Sequence, residues 1–168
     1  MSAEAVRIAG DDLVRGVSRR DLPPGVESVL AAGWSVVDDA VVLTDFYESY
    51  YGRRDLFNEL VDYEAAVNGR GIPDEDISER NASSIPLLLR RGVAFAWAAL
   101  FEQRTKLPGI QVAAYISVSP ILLEPDLFTG NVTFCSIGPG RPLYIDPRNL
   151  VQHEIVVEMQ TEDCHRPL

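Results

Sequence analysis

The chain predicts an α+β fold: N-terminal helices and a long central apolar helix packed on one face of a mainly antiparallel sheet of about 4–6 strands. Three observations carry this. Ser84 to Lys106 is apolar with helical length and bounded by helix signals. Ile110 to Glu162 then breaks into stretches of alternating polarity, the period of strands. Short turns separate those stretches, and strands joined by short turns pair antiparallel.

The elements follow in order. Asp11 suits a helix cap, with Leu13, Val14 and Val17 behind it on one side. Pro24 fits the first turn of a second short helix, which carries Val26, Val29 and Leu30 and stops at Gly33. Trp34 to Val37 and Ala40 to Leu43 are two short strands around Asp38-Asp39, a turn without the glycine that tight hairpins favour. Tyr47 to Asn68 is expected as the first substantial helix, with Phe57, Leu60, Val61, Glu64 and Val67 near helical spacing. Gly52 and Arg53-Arg54 mark a point where it could break, with the helix proper starting near Asp55. Arg70 to Ser83 is expected to be a polar loop and the most mobile segment.

The long helix opens on Ser84 as cap and Pro86 in its first turn, and Pro108-Gly109 closes it. From Leu87 to Phe101 it is apolar almost all round, which predicts a central position; the main interruptions there are Arg90, Arg91 and Gly92, and Gly92 would allow a close backbone approach. Ile110 to Val118 alternates as a half-buried strand, and Ile121 to Leu123 continues it past Pro120 as an edge or bulge. Val132 to Ile137 and Leu143 to Ile145 are further strands around Gly138-Pro139-Gly140. In the last, Gln152 to Glu162, one face carries His153, Ile155, Val157 and Met159. The other carries Glu154, Val156, Glu158, Gln160 and Glu162, which predicts an acidic sheet face.

At 168 residues the chain suits one domain, 1–168, with short terminal tails expected to be mobile. Apolar residues make up 46%, too many for a disordered chain. The start, Met1-Ser2-Ala3-Glu4, lacks the basic and apolar regions of a secretory signal, so a cytoplasmic location is expected. A net charge of −10 without a basic stripe argues against nucleic acid and anionic membranes and permits a basic protein partner. Cys135 and Cys164 form no disulfide framework; Cys135 is expected as a small buried hydrophobe, Cys164 as part of the tail.

Motifs for chemistry are weak. His153 and Glu154 are strand neighbours and point to opposite faces, so they cannot act as a pair. Asp74-Glu75-Asp76 lacks the spacing of a calcium loop, and Gly138-Pro139-Gly140 lacks the N–H groups of a phosphate cradle. No metal or cofactor is expected, and the balance leans away from an enzyme.

Two functional classes remain. The first is a non-catalytic acidic interaction protein, such as an inhibitor or immunity-type protein or an assembly or adaptor subunit, with a homo-oligomer left open. Tyr and Arg dominate protein-binding hot spots. The candidate contact residues are Tyr47, Tyr50, Tyr51, Arg53 and Arg54, with Tyr47, Tyr50 and Tyr51 sharing one helix face. The acidic Asp74, Glu75, Asp76, Glu154, Glu158 and Glu162 complete the set. The alternative is a small-molecule binder or enzyme with an apolar pocket between central helix and curved sheet, lined by Tyr50, Tyr115, Asp146 and His153.

Overall fold

A computed structural model describes residues 1–10, 12–146, 149–150 and 154–168. The fold is α+β. Helix α1 (Ala3–Ala9) and helix α2 (Glu27–Ala32) precede a hairpin of β1 (Trp34–Val37) and β2 (Ala40–Leu43). Helices α3 (Thr44–Glu48) and α4 (Leu60–Asn68) follow, then the short strand β3 (Arg70–Gly71). The long α5 (Ile85–Lys106) leads into β4 (Gln111–Ile121), β5 (Glu124–Ile137) and β6 (Ile155–Gln160). All pairings are antiparallel; β1 and β2 form one sheet, and the second has the order β3-β5-β4-β6.

The long helix is central, as its all-round apolarity predicts. Its Leu88, Leu89, Val93, Ala96 and Leu100 are buried with Val112, Ala114, Ile116 and Val118 of β4 and Val157 and Met159 of β6. The same core takes in Ala5 near one end of the chain and Cys164 near the other. The stretch Ala82–Lys106 is long and apolar enough to cross a membrane by length and composition, yet 72% of its apolar window is buried inside the protein.

The three residues that interrupt its apolarity each have a structural task. Arg90 reaches Asp21 (3.0 and 3.1 Å) and the Gly16 carbonyl (3.0 Å). Arg91 reaches the Asp76 carboxylate (2.7 and 2.5 Å) and the Pro73 carbonyl (2.8 Å). Successive helix residues diverge by about 100°, so the pair ties down two separate segments. At Gly92 a Cβ would come within 2.5 Å of Ile116 Cγ2 and 2.7 Å of Ile72 Cδ1, which is the close approach of helix to strand that its sequence position suggests.

Several sequence expectations need correction. Among the described residues the first helix lies at Ala3–Ala9, capped by Ser2, whose hydroxyl accepts from the Ala5 N–H (3.3 Å), rather than after Asp11. Asp11 itself lies outside the described residues. Leu13, in a turn, and Val17, in the irregular stretch after it, are still buried. The expected helix from Tyr47 to Asn68 is two helices separated by residues 49–59, with a single 3-10 turn at Arg54–Leu56. Thirteen residues of straight helix span about 20 Å, whereas the rings of Tyr50 and Tyr63 lie 6.0 Å apart, so the chain has to fold back.

Ser84 holds the N-cap position of α5, as expected, but without a capping side-chain bond. Asn81 caps the preceding turn, accepting from the Ser83 N–H (2.9 Å). Arg70 to Ser83 is not all loop: Arg70 and Gly71 pair with Val132 and Asn131 of β5, and Ile72 is buried. Strand β5 begins at Glu124, well before Val132, so β4 and β5 form one long hairpin. The register shift falls between Pro120 and Ile121, where a bulge was expected, and leaves Leu122 and Leu123 as the loop. Leu143 to Ile145 is not a strand. Cys164 is fully buried rather than part of a loose tail.

The largest correction concerns β4, which is buried on both faces. Ala113 and Tyr115 pack with Cys135 under Val61 and Ala65 of α4, opposite the face that α5 covers. The sheet is therefore a middle layer. Helix α4 is held there by two polar side chains that are fully buried, Glu64 and Asn68. Glu64 accepts from the Val41 N–H (2.8 Å), the Ser136 N–H (2.7 Å) and the Ser136 hydroxyl (2.6 Å). Asn68 accepts from the Leu43 N–H (2.9 Å) and donates to the Val41 and Phe134 carbonyls (2.9 and 3.1 Å).

Two predictions follow from these contacts. Glu64→Gln presents an NH2 to an N–H donor, and Asn68→Asp sets a carboxylate against two carbonyls. Each should lower stability by roughly 2–4 kcal/mol in urea unfolding, and a loss below about 0.5 kcal/mol would disprove their role. Gly92→Ala should cost about 1–3 kcal/mol through overpacking, read as a lower urea midpoint at unchanged slope.

Candidate interaction surface

The aromatic and arginine residues singled out in the sequence divide into two environments. Tyr47 and Tyr50 are half-buried and pack around Tyr63, Val42 and Val67. Arg54 lies over the Tyr63 ring, 5.4 Å from its centroid, and donates to the Phe57 carbonyl (2.8 Å). These side chains cover the core. Tyr51 stands clear at 97% exposure, and Arg53 is exposed in an ion pair with Asp55. The three tyrosines do not share a helix face, because α3 ends at Glu48.

The acidic run is partly used internally. Asp76 is held by Arg91, Asp74 lies 3.6 Å from Arg80, and Glu75 is exposed. The hydrogen bond from Arg91 holds the Asp76 carboxyl below the ordinary carboxylate range. Burial works against the Asp21 carboxylate, but bonds from Arg90 and Ser18 outweigh it and hold its pKa down as well.

The sheet face opposite α5 is not an open acidic face. Val156 is buried and Glu158 half-buried, accepting from Gln160 Nε2 (3.0 Å); Glu162 is exposed and accepts from Gln111 Nε2 (3.2 Å). The covering by α4 and the approach of Tyr144 to Tyr115, with centroids 5.6 Å apart, account for this.

The described pocket candidates, Tyr50, Tyr115 and Asp146, are not brought together. Tyr50 belongs to the Tyr63 cluster. Tyr115 is buried beneath α4, and its hydroxyl has no hydrogen-bond partner among the described residues. Burial pushes its pKa up, as it does for the thiol of Cys135; burial takes Cys164 to about 12. His153 lies outside the described residues. Of the described candidates, only Asp146 lines a cleft of about 860 Å³ between α1, the start of α5, residues 117–120 of β4 and the start of β6. Its walls are mostly apolar, with Ile8, Ile85, Val118, Phe128 and Ile155 among them, and Glu154 also borders it.

The feature that sequence reading missed is the end of the β4–β5 hairpin. Strand β6 pairs with β4 only through Ala113 to Val118, and β3 reaches β5 only at Asn131 and Val132. Past Ser119 the ladder continues for two pairs, Pro120 with Phe128 and Ile121 with Glu124, and the Phe128 N–H also donates to the Arg80 carbonyl. The loop residues Leu122 and Leu123 are 94% and 88% exposed. Burying two such side chains is worth roughly 3–6 kcal/mol, a sizeable quantity to leave in water. A signal was present in the sequence: two leucines hemmed by Pro120 and Pro125 sit where turns favour Gly, Asn or Asp.

No family model, curated protein or solved structure matches the chain.

The two clamps on α5 set a pH response. A carboxylate whose folded pKa is depressed adds stability that is present above its unfolded value, about 4, and is lost as pH falls through the folded value. The melting temperature should therefore fall as the pH drops below about 4. Asp76→Asn should melt lower than wild type at pH 7 and lose less on acidification, in a thermal series from pH 8 to pH 3. Parallel curves for the two proteins would refute the Asp76 contribution.

Proposed function

We propose that this protein is a non-catalytic, acidic protein-interaction module, an inhibitor or immunity-type protein or an assembly or adaptor subunit, that acts by binding another protein. The observation that carries this reading is the projecting β4–β5 hairpin with Leu122 and Leu123 bare at its end. An exposed apolar feature rimmed by polar residues is a mark of a contact site. The exposed Tyr51 and the net charge of −10 support the same reading.

A second reading rests on the cleft. At about 860 Å³ with largely apolar walls, it lies within the size range of small-molecule sites. Under this reading Asp146 supplies a polar contact and the hairpin base forms one wall.

The two separate in one experiment. The tagged protein is purified from its native cells beside a Leu122→Ser/Leu123→Ser variant, and both are then screened by thermal shift against a metabolite library. A stoichiometric protein partner retained by wild type and lost from the variant is the expected result. No partner for wild type, together with stabilisation by a small molecule that Val118→Trp abolishes, would overturn it in favour of the cleft.

A further inference from the structure

The chemistry around the hairpin end indicates what kind of surface it meets. Leu122 and Leu123 form its apolar point, and Pro120 beside them is also exposed. The only charged side chains from Ser117 to Gly130 are Glu124 and Asp126, both exposed and both acidic. Asp126 lies in the three residues, Pro125 to Leu127, by which β5 exceeds β4 at the register shift, so the acidic side of the hairpin is the bulged one.

The leucines are not there for the turn. At the other hairpin Asp38 and Asp39 take positive φ (48° and 68°), a conformation that Asp tolerates. Leu122 and Leu123 are not among the positive-φ residues, and two leucines offer a loop no hydrogen bond of its own. Their retention at the point of a projecting hairpin is a local rule broken without a folding gain.

We infer that the hairpin docks into an apolar groove edged by lysine or arginine on a partner protein, with Leu122 and Leu123 entering the groove and Glu124 and Asp126 facing the basic edge. This rests on the protein-binding reading above. A second copy of this chain would bring the same two carboxylates and a charge of −10 against its own kind. An anionic bilayer would repel the same carboxylates.

The probe is a fluorescent Leu/Lys amphipathic peptide of about four helical turns, with a Leu/Glu peptide of equal length beside it, in anisotropy titrations at physiological salt. Wild type should bind the Leu/Lys peptide and not the Leu/Glu one. Leu122→Ser/Leu123→Ser and Glu124→Lys/Asp126→Lys should each weaken binding at least about ten-fold. Glu48→Lys/Glu59→Lys, which changes net charge equally at exposed positions elsewhere, should bind as wild type. All four proteins should melt within a few degrees of one another. Equal binding by all variants would overturn the inference, and so would binding of both peptides. It is also overturned by a wild-type dimer, or by flotation on phosphatidylcholine vesicles, that the leucine substitutions remove. These failures leave the protein-binding reading to stand or fall on the co-purification.

Discussion

Glu64 and Asn68 stand one helical turn apart on α4 and hold together two sheets that share no ladder. Strand β2 presents the N–H of Val41 and Leu43 and the carbonyl of Val41; β5 presents the carbonyl of Phe134 and the N–H of Ser136. A buried backbone group without a partner costs about 1–3 kcal/mol, so five such groups could not be left between the sheets. A carboxylate that only accepts and an amide that both donates and accepts match this set of groups. Once they are in place, the position of α4 is fixed, and with it the cover over Ala113, Tyr115 and Cys135. Arg141, 3.7 Å from Glu64 and hydrogen-bonded to the Ser136 hydroxyl, sets a positive charge beside the buried carboxylate.

The same solution extends along the outer edge of β5. After Glu64 and Asn68, the chain supplies Arg70 and Gly71 as β3, then the Ile72 N–H to the Gly130 carbonyl (2.8 Å), then the Arg80 carbonyl to the Phe128 N–H (2.6 Å). One continuous stretch of chain thus covers the edge from residue 136 back to residue 128, using side chains where it is helical and backbone where it is extended. Arg91 anchors the middle of that stretch through Asp76 and Pro73, which is why a polar segment with little regular structure keeps its place beside the core.

Local signals carried much of this fold into the sequence. The long helix, the Asp38-Asp39 hairpin, the strand β4 and the irregularity at Pro120 rest on periodicity or turn chemistry within a few residues, and each is present where expected, although β4 is not half-buried. The misses depend on distant partners. The break between α3 and α4 follows from ring packing of Tyr50 and Phe57 on Tyr63. Glu64 falls at helical spacing, but nothing near it in sequence announces Val41 or Ser136 as its partners. The burial of Tyr115 depends on α4 lying over a face that alternation alone would leave to water. For the site, residue type identified Tyr51 and Arg53 as exposed candidates, while Asp76 and Arg54 turned out to serve the fold.

How the edges are finished bears on how this protein can meet another. The free side of β6 is closed near one end, where Ser2 exchanges two bonds with Val156 (2.7 and 3.1 Å), and at the other, where the Gln160 N–H donates to Asp163 (2.8 Å). With the outer edge of β5 also taken, neither side of the described sheet offers a long open ladder for a partner strand. Strand addition is thus disfavoured at this sheet, and a contact made there would rest on side chains. Among the most exposed apolar side chains, Leu122 and Leu123 are adjacent and form the turn of the β4–β5 hairpin. A turn closed by a ladder pair, Ile121 with Glu124, loses less conformational freedom on docking than an open loop would. Under the proposed protein-binding reading, the closed edges and the exposed Leu122 and Leu123 leave side-chain contact at this turn as the route to a partner.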